Sequence, residues 1–403
     1  MMWTDSRDDV ATLMDVPMME AMESRLYLSF DLYLVKGMAT YVDSDGDRVT
    51  VKLSGGGSGY ITFDGEAPVG DASSINIVAN PNGKSKLTIT VKGQKDAGTS
   101  LMDGLTVVGS LASFKAPSTR LGGTVTMGVS NGTSIVVGSL IGSTMTLSGA
   151  PRKAISVKVG VMSGASTLVA AGIDMSLKIG QINAGNTVRA NAFTKIAVDD
   201  RLAGTITADG ANHKGVAIGS ITAKKEVTGT ILATGGSVGN ISVKGSLNAT
   251  ITVGNAIKGI TAMDVTGGVI SADSLGKLVT KGKKGNVKKG IPFNAGDMNA
   301  TVTLAGANVL DKQRALGSAS IKGTLGGDLY VTGDAGTIKL KNLLANLTVT
   351  GKATVKTTDV LAAAKPDAWM GEIHLGSGSV KFGKTTFKSS DPIDRYVERL
   401  SPI

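Results

Sequence analysis

Hydrophobic and polar residues alternate along most of this chain in two short phrases that return about every twenty residues. The rhythm is clearest from Val216 to Thr280. Gly219-Ser-Ile221-Thr-Ala, Gly239-Asn-Ile241-Ser-Val and Lys258-Gly-Ile260-Thr-Ala are versions of the first phrase. Val227-Thr-Gly-Thr-Ile231, Leu247-Asn-Ala-Thr-Ile251 and Val265-Thr-Gly-Gly-Val269 are versions of the second. Period-two alternation in Val, Ile and Thr predicts short strands with one buried face. Ile241, Val243, Leu247, Ala249, Ile251 and Val253 then point inward, with Ser242, Lys244, Asn248, Thr250 and Thr252 outward. A fixed period means that each turn of chain stacks on the last, because one turn alone buries too little to hold itself. The predicted fold is all-β: a right-handed parallel β-helix, or solenoid, of about eleven short coils over residues 101–360.

The second phrase can be followed by its central apolar residue through Val125, Met145, Leu168, Val188, Ile206, Ile231, Ile251, Val269, Val302, Leu329 and Leu347. The first runs through Ile135, Ile155, Ile196, Ile221, Ile241, Ile260, Leu278, Ile321 and Ile338. Most steps are 18 to 23 residues, and the longer ones mark insertions. Glycines fall between phrases, where left-handed backbone is expected to turn the corners. No long stretch has helical spacing, so helices are expected only near the termini.

Where the rhythm fails, other structure is expected. Residues 31–100 read as a capping region of β-hairpins. One turns at Asp43-Ser-Asp45-Gly46-Asp47, with Val49, Val51 and Leu53 on one face. Gly55 to Gly59 should lead into a second hairpin arm, Tyr60–Phe63, and the turn Asn80-Pro-Asn-Gly83 should join the runs at Ile75 and Leu87. The longest departure is Lys277 to Asn299, read as a protruding loop that carries Lys281, Lys283, Lys284, Lys288 and Lys289. Residues 361–403 read as a second cap. Ser390-Asp391-Pro392 starts a short helix there, with Ile393, Tyr396, Val397 and Leu400 on one face.

Composition narrows this picture. Hydrophobic residues reach 41% but aromatics only 4%, and there are 55 glycines, as a narrow interior of thin layers would select. Cysteine is absent, so disulfides and zinc–thiolate sites are excluded. The net charge of +10 has two readings. It attracts polyanions such as acidic polysaccharide or the cell envelope, or it keeps exposed strands from associating. No aromatics interleave with the Lys-rich loop and no recognition helix is present, so nucleic acid is not the expected partner. No apolar run approaches the roughly 18 residues of a transmembrane segment.

Residues 1–30 differ from all that follows: they are Met- and Asp-rich and lack glycine. They have no basic start and no apolar run of a secretory signal. Glu23-Ser24-Arg25 and Leu28-Ser29 resemble the Leu-Glu-Pro/Ser-Arg-x-Leu-Leu-Ser leader of large secreted proteins from planctomycete-type bacteria. Met22 stands where Leu is usual, and Tyr27 replaces an apolar residue. A short amphipathic helix from Glu20 to Leu28 is a compatible reading. The Asp43–Val51 block ahead of glycine-rich repeats is similar to a module of the same surface proteins. The resemblance implies an exported protein, extracellular or at the cell surface.

Three sets of residues are candidates for chemistry. Asp43, Asp45 and Asp47 supply hard oxygens around a glycine turn, which suits calcium, or they simply form the turn. An EF-hand is excluded, because Ser54 stands where that loop needs its twelfth-position Glu. No other cofactor is expected. Lys281, Lys283, Lys284, Lys288 and Lys289 form a polyanion site or a solvated loop. Asp199, Asp200, Asp209 and the pair His213-Lys214 are the best catalytic candidates. No glycosidase, lyase or nucleophile motif accompanies them, and the two histidines, His213 and His374, lie many coils apart. The expectation is a non-catalytic surface or matrix scaffold that binds acidic polysaccharide or the envelope and is able to self-associate. The alternatives are a polysaccharide lyase or hydrolase and an end-to-end filament subunit.

Overall fold

The computed structural model describes residues 29–65, 68–93, 100–285, 293–306, 314–357 and 372–381, and the backbone of 382 and 385–389. These residues form strands and tight turns, with no helix among them. Almost all the strands belong to one sheet of 28, and Thr324–Leu325 pairs separately with Asn342–Leu343. The expected leader, the helix at residues 390–400 and Lys288 and Lys289 lie outside the described residues.

From Leu105 to Phe382 the strands pair in parallel, each lying against the equivalent strand of the following turn. Ser237–Val243 sits between Val216–Ala223 and Ala256–Ala262. Ser246–Val253 sits between Thr230–Ala233 and Asp264–Ala272. Like therefore meets like, and the interior resolves into buried columns. One runs Ile196, Ile221, Ile241, Ile260, Leu278, Ala319, Ile338, Val355. Another runs Ile206, Ile231, Ile251, Ile270, Val302, Leu329, Leu347. Between them stand Leu202, Val227, Leu247, Val265 and Val238, Ile257, Leu275, Leu316, Ala335. Burying each Val, Ile or Leu side chain of these columns contributes about 1.5–3 kcal/mol. The outward residues of the same strands face solvent, Asn248 and Thr250 exposed and Ser242 and Thr252 half-buried.

The predicted columns hold with small corrections. Ile270, not Val269, follows Ile251. The pairing slips by one residue beside Gly267 and Gly268, which moves Val269 to the surface at 45% exposure. A one-residue slip reverses the face of every side chain after it. Val157 rather than Ile155 faces Ile135, and Ala319 rather than Ile321 faces Leu278. These two shifts span two residues and keep the face.

Many corner glycines have a different cause from the one expected. Gly160, Gly180, Gly219, Gly239, Gly317 and Gly336 do not have left-handed backbone. A Cβ at Gly239 would strike the carbonyl oxygen of Gly219 one turn below, and Gly180 stands in the same relation to Gly160. Glycine is required there by close approach between turns. Another corner uses polar side chains. The Ser143 amide donates to Ser166 Oγ (3.1 Å), and the Ser166 amide to Asn186 Oδ1 (2.7 Å). All three residues are buried, and each ties its turn to the next.

The N-terminal region is built differently from the predicted consecutive hairpins. The Asp43–Asp47 turn does join Met38–Val42 to Arg48–Ser54. The Tyr60–Phe63 arm does not pair with that hairpin. Gly57–Asp64 pairs with Ser29–Tyr33 and Ser74–Ala79, whereas Arg48–Ser54 pairs with Met38–Val42 and Ser85–Lys92. Two antiparallel layers result, with Tyr41 and Phe63 in edge contact between them at 4.9 Å. Ser74–Ala79 then pairs in parallel with Leu105–Val108, and Ser85–Lys92 with the stretch from Leu111 to Lys115. Both layers thus run directly into the parallel stack. At the other end, Ile373–Phe382 lies on Leu347–Thr357 in parallel and is covered by antiparallel Thr385–Ser389.

Gly239→Ala is expected to destabilise the chain by about 1–3 kcal/mol through overpacking against the Gly219 carbonyl. Thr250→Ala, on the exposed face of the neighbouring strand, is expected to stay within about 0.5 kcal/mol of wild type. Urea unfolding of both variants checks the order.

Candidate functional site

Outward side chains inherit the register of the strands beneath them, so surface chemistry here is arranged along rows. The acidic catalytic candidates are already engaged with cations of neighbouring turns. Asp199 accepts Lys224 Nζ at 2.7 Å, with Lys178 Nζ at 3.7 Å on the preceding turn. Asp200 holds Lys225 at 2.6 Å, and Arg201 faces Glu226 at 3.5 Å. Arg189 Nε reaches both oxygens of Asp209, at 2.8 and 2.7 Å. The Lys224 hydrogen bond and the charges of Lys178 and Lys224 hold the Asp199 carboxyl below its usual range. A carboxylate kept ionised in this way is a poor general acid. His213 lies exposed within the turn that Asn212 and Gly215 close, and His374 pairs with Glu372 at 2.9 Å.

Acids in the C-terminal half are similarly occupied. Asp297, Asp328 and Asp334 accept backbone amides of the following turn, from Thr324 (2.7 Å), Asn346 (2.9 Å) and Lys352 (2.8 Å). A shallow hollow bounded by Ser54, Gly55, Gly83, Lys84, Lys86 and Ala112 contains no carboxylate.

The predicted lysine loop begins later and ends earlier than expected. Lys277 belongs to the strand Ser274–Thr280, and Met298 already bridges Val265. Lys283 and Asn294 exchange backbone hydrogen bonds of 2.7 and 2.9 Å, so the chain leaves and returns as a narrow antiparallel neck. The buried Thr280 hydroxyl donates to the Gly296 carbonyl and accepts the Lys322 amide at 3.1 Å. Asn294 Nδ2 donates to Asp264 Oδ2 at 2.8 Å. The neck is therefore pinned to two neighbouring turns, and Lys281, Lys283 and Lys284 project from it, exposed.

A second cationic feature was not apparent from the sequence. Lys339 pairs in register with Lys356, and Lys356 with Lys381. All three are exposed, and no ion pair joins them to an acid among the described residues. Strand neighbours lie about 4.8 Å apart, and like charges facing each other across strands are destabilising. Lys158 and Lys178 are also neighbours, but Asp199 offsets the charge of Lys178. The signal is hidden in the sequence because the three lysines stand 17 and 25 residues apart and meet only once the insertion before Ile373 is set aside.

Asp43, Asp45 and Asp47 do come together, with one carboxylate oxygen from each within 4.8 Å of the others. Gly46 turns the chain with a φ of 91°, and the Asp47 amide donates to Asp43 Oδ1 at 2.8 Å. Asp43 and Asp47 are buried and Asp45 is exposed. Burial, reinforced by the adjacent Asp45 carboxyl, pushes the Asp43 carboxyl up to about 6. Asp45 is held low by its contact with Asp43, and Arg120 adds to this. No helix among the described residues is long and apolar enough to cross a membrane. No family model, curated protein or solved structure matches this chain.

The Asp199 carboxyl is expected to titrate below its usual 3.8. Its stabilising pairing is fully present at neutral pH and is lost as pH falls through that depressed value. Carboxyl-resolved NMR titration checks the midpoint, which should return toward the ordinary range in Lys224→Gln.

Proposed function

We propose that this chain is a right-handed parallel β-helix that serves as a non-catalytic, exported scaffold, binding acidic polysaccharide along its outer face. The observation that carries the reading is the in-register row Lys339, Lys356 and Lys381, uncompensated by acids among the described residues. Adjacent like charges cost stability in the free protein, and a polyanion lying along the row relieves that cost. The parallel register from Leu105 to Phe382 supplies the regular spacing. The outward acids at Asp199, Asp200 and Asp209 are matched by cations, which favours scaffold over hydrolase or lyase. The leader-like Glu23–Ser29 segment supports export and a cell-surface or extracellular location. Lys281, Lys283 and Lys284 extend the basic surface from the pinned neck, with Lys288 and Lys289 following in sequence.

Self-association is a second reading with its own observation. Tyr33, Val35, Met38, Val42 and Val69 are between 45% and 72% exposed around the strands that end the two N-terminal layers. Apolar groups exposed beside the outermost strands favour pairing with another chain.

The full chain is expected to be retained on immobilised alginate or polygalacturonate at low salt and released by sodium chloride, with no retention on neutral dextran. Replacing Lys339, Lys356 and Lys381 together by Gln should lower the salt needed for elution while leaving the fold intact by circular dichroism. Equal retention of the variant, or release of sugar product from either polymer, would overturn this function. Protease treatment of whole cells reads the location, and a surface protein should be cleaved without lysis.

A further inference from the structure

We propose that the Asp43–Asp47 turn is a calcium site, formed by the carboxylates of Asp43, Asp45 and Asp47 beside the buried hydroxyls of Tyr41 and Ser100. The site is independent of the polyanion reading.

The first observation is spacing. Calcium binds oxygens at about 2.3–2.6 Å, so ligands on opposite sides of the ion lie up to about 5 Å apart. The three carboxylates offer oxygens within 4.8 Å of one another, which fits a shared ion without rearrangement of the turn. The second observation is independent of the acidic cluster itself. Asp43 Oδ2, the Tyr41 hydroxyl and the Ser100 hydroxyl are all buried without a hydrogen-bond partner. Their residues are only 3%, 3% and 1% exposed. The Ser100 hydroxyl lies beside both the Tyr41 hydroxyl and the Asp43 carboxyl without hydrogen-bond geometry to either, so the three groups share one locality. Buried polar atoms are nearly always satisfied, and several unsatisfied together point to a bound species that supplies the missing interactions. A hard cation suits an all-oxygen set in which carboxylates dominate.

Calcium is favoured over magnesium because the donors are unevenly placed. Two carboxylates are buried and one is exposed, a set that a flexible coordination shell tolerates better than a strict octahedron does. Asp71, which accepts the Ser44 hydroxyl at 2.8 Å, adds negative potential beside Tyr41. Arg120 acts on Asp45 and competes with the ion for it. The expected affinity is modest, with a Kd on the order of 10⁻⁴ M. The turn joins two strands of one N-terminal layer, and Val42 bridges Val69 beside it. Binding therefore stiffens the cap at the end of the stack.

Terbium luminescence tests the proposal on the full chain, because Tyr41 lies close enough to sensitise a bound lanthanide. The expected result is saturable emission that calcium displaces and magnesium does not. Asp45→Asn should weaken calcium binding by about tenfold, and calcium should raise the Tm of the wild type but scarcely that of this variant. Asp45 is exposed, so its substitution leaves folding intact even if Asp43→Asn does not fold. Tyr41→Phe should keep most of the calcium affinity measured by calorimetry while losing most of the emission. Absence of saturable emission, or wild-type calcium affinity in Asp45→Asn, would overturn the site.

Discussion

The parallel strands among the described residues answer to one constraint: along most of their length, residues face their equivalents on the next turn. Such a geometry rewards repetition and penalises exceptions. Ile221, Ile241 and Ile260 are interchangeable because each meets the same neighbours above and below. Where the backbones of adjacent turns approach most closely there is no room for a side chain, and Gly219 and Gly239 follow from that. The rule extends to polar groups. Asp297, Asp328 and Asp334 each accept an amide from the following turn, so hydrogen bonds of side chains repeat along the stack much as those of backbone do.

The same rule explains how much could be read beforehand. Inward positions alternate with a period of two and recur about every twenty residues, so strand identity and the core face were legible from Val, Ile and Leu alone. Exact partners were less so. A single slip at Gly267 and Gly268 put Ile270 where Val269 was expected, and both residues are β-branched and apolar. Composition cannot separate them. The reason for the corner glycines was also hidden, because collision with a carbonyl one turn away is a property of stacking and leaves no local mark. The N-terminal layers were harder still. Their strands were visible, but the partners of Gly57–Asp64 are Ser29–Tyr33 and Ser74–Ala79 rather than its preceding neighbour. Alternation reveals a face, not a partner.

The ends carry the principal liability of a stacked architecture, since a parallel stack with nothing upon it presents a full row of unpaired backbone. At the N-terminal side the parallel rows are met by Ser74–Ala79 and Ser85–Lys92, which turn the pairing antiparallel and divide one wide edge between two layers. Large side chains gather here, although Phe193 is also buried within the parallel stack. Phe63, Phe114 and Tyr41 are buried in this part of the chain. At the other side Thr385–Ser389 reverses direction on Ile373–Phe382. Reversal at both ends replaces long flat edges with short ones.

Charge on the outer faces is where the stacking rule leaves a choice. Neighbouring turns can set opposite charges together, as Lys178, Asp199 and Lys224 do, and the acid then offsets part of the positive charge and contributes modestly. A row can instead repeat one sign, as Lys339, Lys356 and Lys381 do. Nothing in the packing requires the second arrangement, since exposed Thr residues fill equivalent outward positions elsewhere, including Thr250. The repeating row costs stability that a neutral row would not, and it lies on strands whose buried faces are otherwise regular, with Ile338 and Val355 in place. A local cost without a folding benefit is the pattern expected of a surface shaped by what it binds. On a stack of this kind the natural complement is equally repetitive: a polymer with regularly spaced negative charge, laid along the row rather than held in a pocket.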